Sequence, residues 1–459
     1  MSKIKMFFTK RKIIIFILIV AFLAFIGLWN IVSGGYDKQN ATILFIKKFI
    51  PSKIARKVRD TIFIIPDLKE RNKFLSTQVR KYEQGLNGEM FNDQIIISEK
   101  NKKKYLLKEF FLPFPRLDTR LGWGGEKNST RTHHLAIIGD NVIVISGEWK
   151  TIYFTKNNIF NDQLNEVVIL NNIQDILTKN NFKLIGIRDL LLNDEKLYMS
   201  LIFKNLKGYS INAYTADLNF EKLNFELFFE TDEFWDSYNV FSGGRFFEYK
   251  DNKILFTVGY SNVSGAAQNL NSLLGKIISI DKQTKEHNII SMGHRNPQGL
   301  SYIKDSNIII NTEHGPKGGD EINVNFQKTN EIPNFGWDIS SYGTTYGGDD
   351  IYKKSHIKYG FIEPFKYYVP SIGISQLVYM PNEFNTDNKK YLYVTSLRAG
   401  SIYVIQINEN FSKIIDEDRI YFQQRIRDIE YDEGNDLFFL LFENTPSIGV
   451  LKLSNEWNF

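Results

Sequence analysis

The chain has 459 residues, 57 Lys+Arg against 52 Asp+Glu, 43% hydrophobic residues and no cysteine. That composition excludes a disordered chain, a disulfide scaffold, thiol catalysis, Cys-ligated zinc and Fe–S clusters. Twelve Lys/Arg and only two Asp fall in residues 1–60, so the rest carries 45 positives and 50 negatives. The basicity is an N-terminal arm, and no nucleic-acid partner is expected for the bulk of the chain.

The first element in chain order is apolar. Residues 13–32 (IIIFILIVAFLAFIGLWNIV) contain a single polar member, Asn30. At ~1.5 Å per residue the run spans about 30 Å, the thickness of a bilayer's hydrocarbon core. Lys10, Arg11 and Lys12 precede it, which puts that end in the cytoplasm. The expected arrangement is a cytoplasmic tail (1–12), a single-pass transmembrane signal anchor (13–33) and a periplasmic or extracellular remainder. A cleaved signal peptide is the alternative.

Residues 34–110 read as a juxtamembrane connector, partly helical. Within it, residues 44–59 interleave Lys and Arg with Leu, Phe and Ile, as an interfacial helix would, but Pro51 equally permits an irregular basic linker. Residues 67–84 are charged and free of Pro and Gly, and read as a solvated helix.

From residue 111 the pattern becomes short β-rich runs opened by Asn, Asp or Lys. They begin their apolar stretch at Val142, Leu197, Ile254, Ile308, Tyr391 and Leu437, with spacings of 55, 57, 54, 83 and 46. A unit of about 50 residues is what a four-stranded propeller blade needs. The 83-residue gap reads as one blade plus an insertion of about 30 residues. The expected fold is all-β, a six-bladed β-propeller over 111–459. Two β-sandwiches would show similar strands without a common unit.

Two polar loops flank the fourth signal. The first, 293–300 (GHRNPQGL), sets Arg295, Asn296 and Gln298 within four positions, a donor array suited to carboxylates and carbonyls, or a plain polar turn. The second, 313–323 (EHGPKGGDEIN), could turn backbone carbonyls of Gly315 and Pro316 toward a hard cation near Asp320, or be a Gly-rich turn. A third segment, 334–343 (NFGWDISSYG), lies inside the insertion.

Together these segments resemble the glucose/sorbosone dehydrogenase family of soluble quinoprotein aldose dehydrogenases, which carries G-H-R-N-P-Q-G-L, E-H-G-P-x-G-G-D-E-x-N and N-Y-G-W-P-x-x-S-Y-G in this order. Residues 370–375 (PSIGIS) and 396–400 (SLRAG) resemble two further family motifs. The resemblance covers about residues 240–405. It implies a six-bladed propeller and pyrroloquinoline quinone (PQQ) held by Arg295, Asn296, Gln298, Lys317 and Arg398. It further implies calcium at Gly315, Pro316 and Asp320, and hydride transfer from an aldose or related alcohol. The resemblance also marks a departure. The family's base histidine falls on Phe241, which cannot accept a proton. His133 or His134, from another blade, is the candidate replacement base, while His287 and His356 read as surface residues. The expectation is therefore a membrane-anchored quinoprotein dehydrogenase that passes electrons to a membrane acceptor. The alternative is a catalytically inactive propeller serving as a binding module. A calcium-dependent propeller hydrolase ranks last, for want of a ring of channel carboxylates.

Overall fold

Each turn-opened run found in the sequence is the second strand of a sheet, and its local chemistry shows why. The strand Asn141–Ser146 carries Val142, Ile143, Val144 and Ile145 at 0% exposure, and Leu437–Phe442 is buried throughout. Such strands are covered on both faces by neighbouring sheets, so they read as continuous apolar runs. The turns before them demand left-handed backbone. Asp194 and Glu195 (φ 50° and 59°), Asp251 and Asn252 (56° and 59°), Asn307 (50°) and Asp436 (50°) supply it, as tight hairpin turns require.

In the computed structural model the described residues are 90–115, 130–239, 241–327, 331–382, 384 and 387–454. They form six antiparallel sheets whose innermost strands pack in a closed ring. Blade 1 comprises His133–Ile138, Asn141–Ser146, Thr151–Thr155 and Val167–Asn171, with Lys222–Leu223 added in parallel. Blade 2 comprises Lys183–Asn193, Lys196–Asn205, Gly208–Asp217 and Glu226–Glu230. Blade 3 comprises Gly243–Tyr249, Lys253–Val258, Lys276–Asp281 and His287–Met292. Blade 4 comprises Pro297–Ile303, Ile308–Glu313, Asp320–Asn325 and Lys366–Tyr368; blade 5, Ile374–Met380, Lys390–Ser396, Ser401–Ile407 and Ile414–Tyr421. The long spacing is explained by residues 326–365, inserted between the third and fourth strands of blade 4.

Blade 6 closes the ring and moves the expected domain boundary. Its first three strands, Ile426–Asp432, Leu437–Phe442 and Ser447–Leu453, are completed by Lys104–Phe111 and Met90–Ile97. Tyr105 pairs with Leu453 and Phe111 with Ser447. The expected connector over 34–110 therefore gives up residues 90–110 to the propeller. Met90–Ile97 pairs with Lys104–Phe111, and that strand pairs with chain more than 300 residues away, so no local period places them in the ring. The tail, the membrane span and the rest of the connector lie outside the described residues. Among the described residues no helix is long and apolar enough to cross a membrane.

The channel wall is held by one buried cation. Arg245, on the innermost strand of blade 3, is 3% exposed. Its Nη1 donates to Asp189 Oδ1 of blade 2 at 2.7 Å and to Asp428 Oδ1 of blade 6 at 2.8 Å. Its Nε donates to the Gln298 carbonyl of blade 4 at 2.8 Å, and Nη2 to the Arg427 carbonyl at 3.2 Å. Ser375 of blade 5 donates to that same Arg427 carbonyl, and Asp428 Oδ2 accepts the Leu135 amide of blade 1. All six blades meet in this network.

Burial alone would raise both carboxyls. It brings Asp189 up to about 6 against the pull of Arg245, whereas at Asp428 the guanidinium and His134 prevail and hold it below the usual range. Replacing Arg245 with Met leaves both carboxylates buried without a counter-charge. We expect Arg245→Met to lower stability by about 3–5 kcal/mol, the usual cost of breaking a buried pair. Urea denaturation checks it, and a loss under about 1 kcal/mol would refute the role assigned to this pair.

Candidate active site at the mouth of the channel

The turn joining blades 3 and 4 carries the first motif. Gly293 has φ 74°, and a Cβ there would lie 2.2 Å from Asn334 Oδ1, so only glycine lets the insertion approach. His294 Nδ1 is 3.1 Å from Glu313 Oε1 and its Nε2 is 2.8 Å from Ser291 Oγ. Glu313 also accepts the Arg295 amide at 2.6 Å and the Asn323 side chain at 2.7 Å. The first two motifs thus form one network. Its Ser–His–Glu order resembles a hydrolase triad, but Ser291 and His294 are 1% and 0% exposed, so the network braces the turn instead.

That brace aims Arg295. Its Nη1 donates to the carbonyls of His314 (2.9 Å) and Gly315 (2.8 Å), and Nη2 donates to the Tyr346 hydroxyl (3.3 Å). The guanidinium lies 4.1 Å from the Phe241 ring centroid, 5.2 Å from Trp337 and 6.0 Å from Tyr346. Such stacking favours a delocalised cation. Arg295 and Trp337 line a cavity of about 220 Å³, open mouth included, with Glu313, His314, Glu321 and Ser340. The buried Nε of Arg295, Nε1 of Trp337 and Oγ of Ser340 have no partner. Buried polar atoms without partners mark a place for water or ligand.

Asn296 and Gln298 extend the site toward the channel. Asn296 Oδ1 accepts from the Gly243 amide (3.2 Å) and from Gln298 Nε2 (3.1 Å). Gln298 Oε1 accepts from Arg427 Nη1 at 3.0 Å. Arg427 and Arg425 both donate to Glu443, whose carboxyl they hold at about 2 although burial opposes it. Arg188 shares this environment, and burial lowers it to about 10. Sequence reasoning missed Arg188, Arg425 and Arg427. The readable signal was Arg425-Ile426-Arg427 opening the innermost strand of blade 6, where alternate residues face one side.

Other expected residues land elsewhere. Lys317 and Arg398 are exposed; the Lys317 backbone pairs with Thr344 and the Arg398 amide with Ile372. His133 and His134 sit on the innermost strand of blade 1 at 1% and 2% exposure, so neither is offered to the cavity as a base. The His133 ring lies tilted against Phe114, centroids 4.9 Å apart, and His134 Nδ1 lies 3.4 Å from Asp428 Oδ2. Burial lowers them to about 3 and about 4. His356, expected at the surface, is 1% exposed, with Nδ1 3.0 Å from the Phe335 carbonyl.

The calcium ligands expected at Gly315, Pro316 and Asp320 do not form a cation seat. The Gly315 carbonyl accepts the Arg295 guanidinium, and the Pro316 carbonyl accepts Ser371 Oγ at 3.4 Å. Asp320 accepts three backbone amides, from Gly315 (3.1 Å), Gly373 (2.7 Å) and Ile374 (3.1 Å). A divalent ion there would face a guanidinium and a carboxylate that already accepts three backbone amides.

The buried imidazoles set an acid limit. His133 is neutral in the folded chain down to about pH 3, but titrates near 6.5 when unfolded. The unfolded state binds more protons between those values, so stability is full above pH 6.5 and falls as pH drops toward 3. We expect His133→Phe, which keeps a ring against Phe114, to remove about one proton from the slope of stability against pH. Urea midpoints from pH 7 to 4 check it; an unchanged slope would contradict it.

Comparison with known proteins follows the same lines. The family model described as Glucose / Sorbosone dehydrogenase matches residues 186–448. The aldose sugar dehydrogenase YliI of Escherichia coli (strain K12) is 30% identical over 232 residues, 47% of this chain and 60% of that protein. An uncharacterized Synechocystis protein is 30% identical over 197 residues, 40% of this chain and 46% of its own length. The chain thus spans 60% or less of each of these curated relatives. Among solved structures, the soluble aldose sugar dehydrogenase from Escherichia coli in its apo form superposes with a TM-score of 0.57. It is 20% identical and covers 70% of this chain and 95% of that one. The PQQ-bound aldose sugar dehydrogenase of Streptomyces coelicolor gives a TM-score of 0.52 at 17% identity, covering 75% and 98%. At these identities the superpositions show the shared propeller fold.

Proposed function

Because this chain belongs to the glucose/sorbosone dehydrogenase family, we propose that it is a quinoprotein oxidoreductase that oxidises an aldose or related alcohol at the mouth of its channel. PQQ, when bound, supplies a two-electron acceptor for a hydride. The observation that carries the reading is the donor set. Arg295 presents an unpartnered Nε beside the flat faces of Trp337 and Phe241. Beyond Gln298, Arg425 and Arg427 both donate to Glu443, with Arg188 in electrostatic reach of the pair. A flat polycarboxylate satisfies both features, and these fixed cations favour negative charge wherever it develops there.

The residues divide the work. Arg295 binds and orients, Asn296 and Gln298 fix the floor, and Trp337 with Tyr346 screens the guanidinium from water. With phenylalanine at 241, the hydroxyl proton goes to His314. That ring lines the cavity, its side chain is 21% exposed, and burial holds it neutral at about 4, as an acceptor must be. This reading assigns no step to calcium. The apolar run at 13–32 supports a membrane-anchored chain with this domain on the periplasmic or extracellular side, passing electrons to a quinone or cytochrome in the membrane.

A second reading, a binding propeller without turnover, is favoured by one observation. Phe241 occupies the base position and lies on Arg295. Fluorescence titration of the purified full chain with PQQ, followed by dye reduction with a panel of aldoses, separates the two. The dehydrogenase reading predicts saturable binding and turnover, with affinity unchanged by added calcium. Arg295→Ala should weaken binding by roughly 1.5–3 kcal/mol, the worth of a charge-assisted hydrogen bond. Saturable binding without turnover supports the second reading, and absence of saturable binding sinks both quinone assignments.

A further inference from the structure

Lys276 opens the third strand of blade 3 and is 0% exposed. An ammonium group has three protons, and three backbone carbonyls receive them: Leu274 at 2.8 Å, Ala266 at 2.9 Å and Ala267 at 3.1 Å. All three belong to the segment 259–275, which leaves the second strand of blade 3 and returns to the third. Few buried lysines lack a carboxylate partner, because burial penalises the charge. Here burial lowers Lys276 to about 8, with Glu233 opposing it, so the group is still charged at pH 7. Carbonyl dipoles supply the solvation, as they would for a bound metal ion.

The segment so gathered is the shelf on which the active-site loops rest. The Ala267 carbonyl also accepts the Gly293 amide at 3.1 Å, and the Gly275 carbonyl accepts the His294 amide at 3.1 Å. The Tyr260 amide donates to the Arg295 carbonyl at 3.0 Å, and the Tyr260 ring meets Trp337 edge-on at 5.2 Å. Gln268 exchanges hydrogen bonds with Asn334 (2.8 and 3.2 Å) and donates to the Trp337 carbonyl. The backbone on both sides of the Arg295 guanidinium is therefore held to a segment whose own fold is closed by one ammonium group.

We propose that Lys276 is a positioning residue, a built-in cation that orders the carbonyls of Ala266, Ala267 and Leu274 and thereby sets the Gly293–His294–Arg295 turn and the Trp337 wall. Its effect on quinone binding rests on the reading of the site given above. Its effect on the loops does not, so the two can fail separately.

The test uses the full chain in two substituted forms. Lys276→Met keeps most of the length and removes the charge. Lys276→Ala leaves room for n-propylammonium, the part removed, with n-propanol as the neutral control. Hydrogen exchange followed by mass spectrometry on the quinone-free chain reads the loops directly. In Lys276→Met the amides of Gly293 and His294 should exchange about tenfold faster or more, the loss of roughly one or two net hydrogen bonds, with blades 5 and 6 unchanged. Quinone affinity should fall by a similar factor. In Lys276→Ala, n-propylammonium should restore protection and affinity while n-propanol does not.

Wild-type exchange and affinity in the Met variant would overturn the proposal, as would equal rescue by the alcohol. Loss of all blades together in both variants would also overturn it, because the ammonium would then be a global support. If the wild type fails to bind quinone while the exchange result holds, the function reading falls and the positioning role stands.

Discussion

The propeller closes around a single buried guanidinium, and the rest of the structure depends on that pin. Arg245 reaches two carboxylates and two carbonyls on the innermost strands of blades 2, 4 and 6. A hydrophobic core could fill the space between blades, and between their outer strands it does. Along the channel, however, the innermost strands turn polar side chains toward one another, and buried polar groups must find partners. Arg245 and its neighbours make each such group answer another. The register of the six strands is fixed as a result. Gln298 and Arg427, which touch this pin through their backbones, carry their side chains to the mouth and meet there at 3.0 Å. Scaffold and site share the same strands.

The mouth inherits its chemistry from that arrangement. Arginines and carboxylates meet there, and aromatic rings give the Arg295 guanidinium faces beside its carbonyl acceptors. Arg295 takes the carbonyls of His314 and Gly315 for itself, and Asp320 ties the 315–320 turn to residues 373 and 374 through backbone amides. The turn is thus organised by an arginine and an aspartate of the chain. Phe241, read from the sequence as the loss of a base, also gains a positive account as the ring that covers Arg295.

How much was legible in the residues follows from how local each signal is. The second strand of every blade could be found because its turn and its double-sided burial are written within eight residues, as in residues 251–258. The insertion was visible as a break in that rhythm. The closing hairpin Met90–Ile97 and Lys104–Phe111 was not, since the strand that ties it to the ring, Ser447–Leu453, lies at the other end of the chain. The loop residues Arg295, Asn296 and Gln298 were legible as a cluster of donors. Arg188 and Arg427 become neighbours of that cluster only once the ring closes. His133 and His134 looked available as spare histidines, and burial in the channel wall could not be inferred from two residues at the start of a strand. His356 was misplaced for the related reason that an insertion folds back on its own blade, against Phe335.

The most direct measurement is a crystal structure of the full chain soaked with PQQ. The account predicts flat three-ring density against Arg295 and Trp337, its carboxylates toward Arg425 and Arg427, with the Gly315 carbonyl still on the Arg295 guanidinium. Density elsewhere on the propeller, or an empty mouth at saturating quinone, would contradict it.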